Sequence, residues 1–220
     1  MNTVSRTRIK ICGLTRPQDV AEAVAAGADA LGFVFYEASP RFVTPEQAQA
    51  LVREMPPFVT PVGLFVNASP SWIDNVLEAI PSLVLQFHGD ETVLQCQQSV
   101  RPYLRAARMT PDLNLLDFAQ EYSDAQALLL DAHVQGYGGA GKVFDWSLIP
   151  PNVSRPLVLS GGLHAKNVIQ GIMQVRPWAV DVSSGVESAK GIKDAALIYQ
   201  FCTAVAQADQ MNLVGQTPAS

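Results

Sequence analysis

"RIKICGLTRPQDVAEAVAAGADALGFVF", residues 8–35, contains two short apolar runs separated by one helical pattern. The first run, residues 8–12, is rich in β-branched residues, which favour strands. The connecting segment has Pro17 near the start of a predicted helix and Gly27 at its end, which is the usual placement of these two residues. The stretch therefore predicts a strand, a helix and a second strand.

The same pattern recurs along the whole chain. Eight strands are predicted, at residues 8–12, 30–35, 61–66, 83–88, 103–109, 127–132, 156–161 and 179–185. Eight strand–helix units predict the α/β class and a single (β/α)₈ TIM barrel. A doubly wound open sheet is the alternative, because spacing alone does not show closure. The proline-rich segment 144–151 predicts a short or irregular sixth helix.

Composition limits the classes of partner and compartment. The chain has 220 residues, 48% of them hydrophobic, which predicts one barrel domain over residues 1–208 and a flexible C-terminal tail over 209–220. The net charge of −5 and the absence of a lysine/arginine run argue against nucleic acid. No run approaches 18 apolar residues, so no membrane partner is expected. Three widely spaced cysteines without a C-x-x-C motif predict a reduced, cytoplasmic protein with neither a disulfide framework nor a structural zinc site.

Polar residues occupy several positions that should face the barrel interior. Strand side chains alternate between the interior and the surrounding helices. This alternation predicts a convergence of Lys10, Gln86, His88, Arg105, Asp131 and Asp181. Buried charges are costly unless paired, and catalytic groups of barrels lie at the carboxyl ends of the strands. These residues are therefore candidates for an active site.

Cys12 and Asp131 are the candidate base and acid. A lone cysteine is more often a buried apolar residue, but Lys10 should lower the pKa of this thiol and make a thiolate accessible. Asp131 ends a strand and is followed by a glycine-rich run, so it does not look like a helix cap. A base and an acid across a barrel mouth are what an isomerase needs.

Other loops predict binding functions. The turns "SGGL" (160–163) and "SSGV" (183–186) follow the last two strands, where this fold often binds phosphate. Arg41 follows strand two and could bind a carboxylate, although a solvated arginine is the ordinary interpretation. The glycine-rich run 136–146 suits a mobile lid or a plain surface loop. His88 has no second ligand at metal-binding spacing, so no metal is expected.

Seven motifs in a fixed order resemble one enzyme family. They are "KICGLT" (10–15), "GFVFYEASPR" (32–41), "LQFHGDE" (85–91), "LLLDA" (128–132), "GGAGKVFDW" (138–146), "LSGGL" (159–163) and "DVSSGVES" (181–188). From about residue 8 to residue 205, the chain resembles phosphoribosylanthranilate isomerase of tryptophan biosynthesis. Ala140 stands where the family's lid usually has serine or threonine.

The resemblance implies an Amadori rearrangement of N-(5-phosphoribosyl)anthranilate, without a cofactor, in a monomer or weak homodimer. It places the general base on Cys12, the general acid on Asp131 and the carboxylate-binding group on Arg41. It also implies that Asp181 binds a sugar hydroxyl. From their strand positions, Lys10 and His88 are further candidates for binding the substrate or shaping the site. The phosphate would be held by Gly161, Gly162, Ser183, Ser184 and Gly185.

Two alternatives stay open. One is another phosphosugar isomerase or epimerase on the same barrel. The related histidine-pathway isomerase carries aspartate at the strand-one position, so Cys12 speaks against it. The other alternative is a non-catalytic sensor of phosphorylated ligands, which would need no acid–base pair.

Overall fold

Eight parallel strands form a closed barrel in the computed structural model, which describes residues 6–132 and 143–214. Neighbouring strands pair in chain order, and β1 also pairs in parallel with β8. The strands are β1 (Arg8–Cys12), β2 (Ala30–Val34), β3 (Thr60–Phe65), β4 (Val84–Phe87), β5 (Tyr103–Met109), β6 (Ala127–Ala132), β7 (Leu157–Leu159) and β8 (Ala179–Val182). The predicted (β/α)₈ TIM barrel is confirmed, and the open sheet is excluded by the β1–β8 pairing.

Helices surround this barrel. They are α1 (Pro17–Ala25), α2 (Pro45–Arg53), α3 (Pro70–Ala79), α4 (Val93–Gln97), α5 (Leu115–Glu121), α6 (Val168–Val175) and α7 (Ala195–Val214). Between β6 and β7, the described residues contain only a 3₁₀ turn, Trp146–Leu148. The prediction of a short, irregular sixth helix is therefore confirmed for this part of the connection.

The C-terminal helix is longer than predicted. α7 runs from Ala195 to Val214, so residues 209–214 of the predicted tail are helical, and the flexibility of the tail stays a prediction. Asp209 accepts hydrogen bonds from the backbone N–H of Thr7, 2.9 Å away, and from the Thr7 hydroxyl, 2.7 Å away. These bonds attach the helix to the residue just before β1. None of the helices in residues 6–132 and 143–214 is both long and apolar enough to span a membrane.

The strand faces follow the predicted alternation with one exception. Ile9 and Ile11 pack into the core between barrel and helices, while Lys10 and Cys12 lie on the other face of β1. Arg105 does not face the interior, and its predicted place in the site is wrong. Its guanidinium instead pairs with Glu91 outside the barrel, at 3.3 Å. Arg105 lies on the face of β5 whose residues pack into the core between the barrel and the helices.

A small apolar core fills part of the barrel interior. Its members are mostly alanines and branched aliphatic residues: Leu104, Ala106, Ala127, Leu129, Val158 and Ala179. Toward the carboxyl ends of the strands, charged and polar side chains follow these residues on the same face, as with Asp131 after Leu129 and Asp181 after Ala179. The barrel interior is therefore polar near the carboxyl ends of the strands, where TIM-barrel active sites lie.

α2 begins with a complete capping box. The Thr44 hydroxyl accepts a hydrogen bond from the backbone N–H of Gln47, and the Gln47 side chain accepts one from the backbone N–H of Thr44. Pro45 occupies the first turn, where its missing N–H has no cost. This box fixes where the loop that carries Arg41 ends and the helix begins.

Replacing Thr44 by alanine removes one half of this box. We expect Thr44→Ala to lower the free energy of unfolding by about 1 kcal/mol, whereas Thr44→Ser should retain most of it. Urea unfolding of the two variants and the wild type measures the difference. Equal unfolding midpoints for Thr44→Ala and Thr44→Ser would contradict the assigned cap.

Candidate active site

A buried ion pair joins the first strand to the last. Lys10 and Asp181 are direct partners in the β1–β8 ladder, and Lys10 Nζ lies 2.8 Å from Asp181 Oδ1. The Ser160 hydroxyl donates to the other oxygen of Asp181, at 3.3 Å. Both charged side chains are about 95% buried, so each depends on the other for its charge.

Gly32 makes room for the Lys10 and Cys12 side chains. A Cβ atom at this position in β2 would lie 2.8 Å from Cys12 Sγ and 3.0 Å from Lys10 Nζ. It would also lie 3.1 Å from the Cα atom of Cys12, which cannot rotate away. Glycine at this position therefore lets the thiol and the ammonium group share the interior.

Burial raises the pKa of the Cys12 thiol above its usual value, and this effect is larger than the opposing effects of its cationic neighbours. Lys10 lowers that pKa through its charge and a hydrogen bond, and Lys193 lowers it through charge alone, while Asp181 raises it. Lys10 thus acts on this pKa in the predicted direction, but burial outweighs it, and the accessible thiolate stays a prediction. The pKa of Lys10 lies above its usual value, because Asp181 and Cys12 together outweigh the effect of burial.

Asp131 lies at the end of a hydrogen-bonded row of side chains. Gln86 Nε2 lies 3.1 Å from His88 Nδ1, and His88 Nε2 lies 3.0 Å from Asp131 Oδ2. Because an amide N–H can only donate, Nδ1 accepts and Nε2 carries the proton in the neutral imidazole. Asp131 Oδ1 accepts from the backbone N–H of Ala132, at 2.9 Å. These bonds fix the orientation of the carboxyl group at the barrel mouth.

Arg41 lies over the turn that follows β1. A Cβ atom on Gly13 would lie only 2.4 Å from Arg41 Cδ, and the φ of Gly13 is 79°, a conformation that favours glycine. The same Cβ would lie 3.2 Å from the Ser183 hydroxyl. Arg41 and Cys12 also interact electrostatically. The predicted carboxylate-binding residue thus lies beside the predicted base and near the last turn.

The two predicted phosphate turns lie against each other. Gly161 and Gly162 both have positive φ values, 77° and 66°. A Cβ on Gly161 would lie 2.5 Å from the backbone nitrogen of Ala132, and one on Gly185 would lie 1.9 Å from the carbonyl oxygen of Leu163. A side chain is therefore excluded at Gly161 and at Gly185, and the backbone is left to form the surface there, as an anion site requires.

A short hairpin after β8 was missed by the sequence analysis. Its strands are β9 (Glu187–Ala189) and β10 (Ile192–Lys193). Glu187 accepts hydrogen bonds from Arg41 Nε and Nη2, both at 2.7 Å, and lies 2.8 Å from Lys193 Nζ. The sequence signal was Gly191 within "AKGIK", a turn residue between two short strands.

The predicted lid lies largely outside the described residues. Residues 133–142, which include Ala140 and His133, are not among them. From Val143 the chain leads into the 3₁₀ turn at Trp146–Leu148. The lid remains a prediction.

Comparison with known proteins decides the family. A sequence model described as N-(5′-phosphoribosyl)anthranilate (PRA) isomerase matches residues 9–204. The chain belongs to the phosphoribosylanthranilate isomerase family. It is therefore an isomerase of tryptophan biosynthesis.

Relatives agree with this assignment in sequence and in fold. The N-(5′-phosphoribosyl)anthranilate isomerase of Leptothrix cholodnii is 68% identical over 209 residues, which cover 95% of each chain. A crystal structure of monomers generated from the dimeric phosphoribosylanthranilate isomerase of Thermotoga maritima has a TM-score of 0.80 and 37% identity, covering 91% of this chain and 98% of that one. Another isomerase structure, in complex with reduced 1-(o-carboxyphenylamino)-1-deoxyribulose 5-phosphate, has a TM-score of 0.82 and 39% identity, with coverage of 91% and 99%.

The hydrogen bonds of His88 predict its tautomer. In the neutral ring the proton should be on Nε2, because Gln86 donates to Nδ1. Nitrogen-15 NMR of the histidine ring distinguishes the two tautomers directly, and Gln86→Leu, which removes the donor, should redistribute the proton. A proton on Nδ1 in the wild type would contradict the arrangement.

The raised pKa of Cys12 predicts slow alkylation near neutral pH. The rate of reaction with iodoacetamide should rise with pH about a midpoint above the usual thiol value of about 8.5, because burial disfavours the thiolate. Cys12→Ser measures the background reaction of Cys96 and Cys202. That background should be small, because burial raises the pKa of Cys96 to about 12 and of Cys202 to about 11. A midpoint well below 8.5 would show that the cations outweigh burial.

Proposed function

We propose that this chain catalyses the Amadori rearrangement of N-(5-phosphoribosyl)anthranilate to 1-(2-carboxyphenylamino)-1-deoxyribulose 5-phosphate, with Asp131 as general acid and Cys12 as general base. The observation that carries the proposal is the pairing of two ionisable groups at one barrel mouth. One is a buried thiol beside an ammonium group, and the other is a carboxyl group held by a histidine and a backbone N–H.

Asp131 begins the reaction at the furanose ring. A proton moves from its carboxyl group to the ring oxygen, the bond between that oxygen and C1′ breaks, and the anthranilate nitrogen forms an iminium with C1′. Both oxygens of the resulting carboxylate accept a hydrogen bond, one from His88 and one from the backbone N–H of Ala132. General acid catalysis of this kind contributes roughly 10²- to 10⁴-fold.

Cys12 then removes the proton from C2′. The electron pair of that C–H bond forms the enolamine, which tautomerises to the ketone. The thiol must first lose its proton to solvent and become a thiolate, and Lys10 favours that state through its charge and a hydrogen bond. Burial opposes ionisation of the thiol. It also keeps water away from the thiolate, so that the negative charge acts on the substrate.

The two ends of the substrate would bind to two different groups of residues. We assign the anthranilate carboxylate to Arg41 and the phosphate to Gly161, Gly162 and the turn 183–185; the support is the close approach of Gly185 to the carbonyl oxygen of Leu163. Asp181, already held by Lys10 and Ser160, would accept a sugar hydroxyl. Fixing both ends places C2′ near the base without further loss of freedom.

This chemistry uses the substrate's own nitrogen as the electron acceptor. The iminium formed at C1′ draws the electron pair from C2′ when the proton leaves. The proposed mechanism therefore assigns no step to a cofactor.

The isomerase assay tests the acid and base assignments. Substrate made in situ from anthranilate and phosphoribosyl pyrophosphate loses its fluorescence as it is consumed. We expect Cys12→Ser and Asp131→Asn each to lower kcat by roughly 10²- to 10⁴-fold, since each removes one proton-transfer group. Both variants should still bind reduced 1-(o-carboxyphenylamino)-1-deoxyribulose 5-phosphate, called the reduced product below. The groups proposed to hold its carboxylate and phosphate remain in both variants.

The alternatives give different results in the same assay. A non-catalytic sensor would bind the reduced product without consuming substrate in the wild type. Another phosphosugar isomerase would leave this substrate untouched and act on a different one. Near-full turnover by Cys12→Ala would remove Cys12 from the mechanism.

We also propose that the chain is a monomer or a weak homodimer. The support is the fold that it shares with the Thermotoga maritima protein. Light scattering over a range of protein concentrations measures the state, and a stable assembly larger than a dimer would contradict the proposal.

A further inference from the structure

Glu187 is a buried carboxylate between two cations. It accepts two hydrogen bonds from the Arg41 guanidinium and one from Lys193, all at 2.7 to 2.8 Å. The side chains of Glu187 and Lys193 are 5% and 0% exposed. A carboxylate in such a place is costly unless it is paired, and here the pairing is complete. The proposed mechanism gives Glu187 no role.

The contact uses one particular edge of the guanidinium. Glu187 binds Nε and Nη2, which is the side edge of the planar group. The end edge, formed by Nη1 and Nη2, has a second pair of donors of the same spacing. Because a planar group held along one edge cannot rotate about its own stem, the direction of the second edge is fixed by Glu187.

The positive charges around this contact outnumber the negative ones. Arg41 and Lys193 carry two positive charges against the single negative charge of Glu187. Its neighbours hold the pKa of Glu187 below its usual value although burial acts in the opposite direction, so the carboxylate stays ionised. Burial lowers the pKa of Lys193 below its usual value, and while Lys193 is protonated the cluster retains one positive charge beside Cys12, of the sign to receive a single carboxylate.

The hairpin that carries Glu187 is anchored at its turn. Glu187 and Lys193 are cross-strand partners in the β9–β10 pair. The Thr15 hydroxyl donates to the carbonyl oxygen of Gly191 at 2.7 Å, which attaches the hairpin tip to the turn after β1. Lys193 Nζ also donates to the carbonyl oxygen of Ser183, at 3.1 Å. Glu187 is therefore held in place independently of Arg41.

We propose that Glu187 is a positioning residue that aims the end edge of Arg41 at the carboxylate of the substrate. The inference rests on the proposed function, because it assumes that Arg41 binds the anthranilate carboxylate. Glu187 itself does not touch the substrate. It acts by making Arg41 a preorganised, bidentate site of fixed direction.

Binding of the reduced product tests this proposal without turnover. Calorimetric titration would compare the wild type, Glu187→Gln, Arg41→Ala and the double variant. We expect Glu187→Gln to weaken binding by roughly tenfold or more, as expected for loss of a charge-assisted contact. In the Arg41→Ala background the same change should have an effect of less than about twofold, because contacting residues are not additive.

Two controls separate positioning from general damage. Glu78→Gln makes the same chemical change at an exposed site on α3 and should bind like the wild type. A reduced ligand that lacks the aryl carboxylate should bind equally to the wild type and Glu187→Gln. In turnover, Glu187→Gln should raise KM far more than it lowers kcat, and Glu187→Asp should recover part of the loss.

Three results would overturn the proposal. They are unchanged binding by Glu187→Gln, an equal loss in the Arg41→Ala background, and an equal loss for the ligand without the carboxylate. Failure of the wild type to bind the reduced product would overturn the proposed function, and this inference with it.

Discussion

The ion pair between Lys10 and Asp181 is the interaction on which the rest of the site depends. It spans the seam where β1 meets β8, so it lies where the sheet closes on itself. Removal of either partner would leave an uncompensated charge in the interior, which typically costs several kcal/mol. The pair also places an ammonium group beside Cys12. An ion pair at the closing seam of the barrel therefore also contributes to the electrostatic environment of the proposed base.

The polar end of the barrel is organised as three groups of opposed charges or dipoles. Lys10 faces Asp181, Arg41 and Lys193 enclose Glu187, and His88 donates to Asp131. Most of these side chains are buried, and each of them is paired within its group. Such a preorganised arrangement needs little rearrangement when charge moves during a reaction, and this is usually a large part of enzymatic rate enhancement.

Much of this arrangement could be predicted from the sequence, because strands of known direction alternate their side chains. Alternation along the strands, together with position near a strand end, identified Lys10, Cys12, His88 and Asp131 as candidates. The repeat of strand–helix units predicted the barrel. Arg105 was misplaced because β5 carries arginines on both faces, Arg105 and Arg108, so that charge does not reveal which face is inward.

Other features required three dimensions. Glu187 and Lys193 lie in strands of three and two residues, too short for alternation to be recognised. The pKa of Cys12 depends on how deeply the thiol is buried, and the sequence names its neighbours without giving that depth. The C-terminal helix continues to Val214, and its Asp209 accepts hydrogen bonds from Thr7, a contact across 202 positions of the chain.

The central claim is that Cys12 takes the proton from C2′ after Asp131 has opened the ring. Turnover of substrate deuterated at C2′, compared with the unlabelled compound, tests it most directly in the wild type, Cys12→Ser and Asp131→Asn. Removal of the base should make C–H cleavage rate-limiting, so we expect a larger isotope effect in Cys12→Ser than in the wild type. In Asp131→Asn ring opening should limit the rate and the isotope effect should fall toward unity. No isotope effect in Cys12→Ser, with a large one in Asp131→Asn, would contradict the assignment of base and acid.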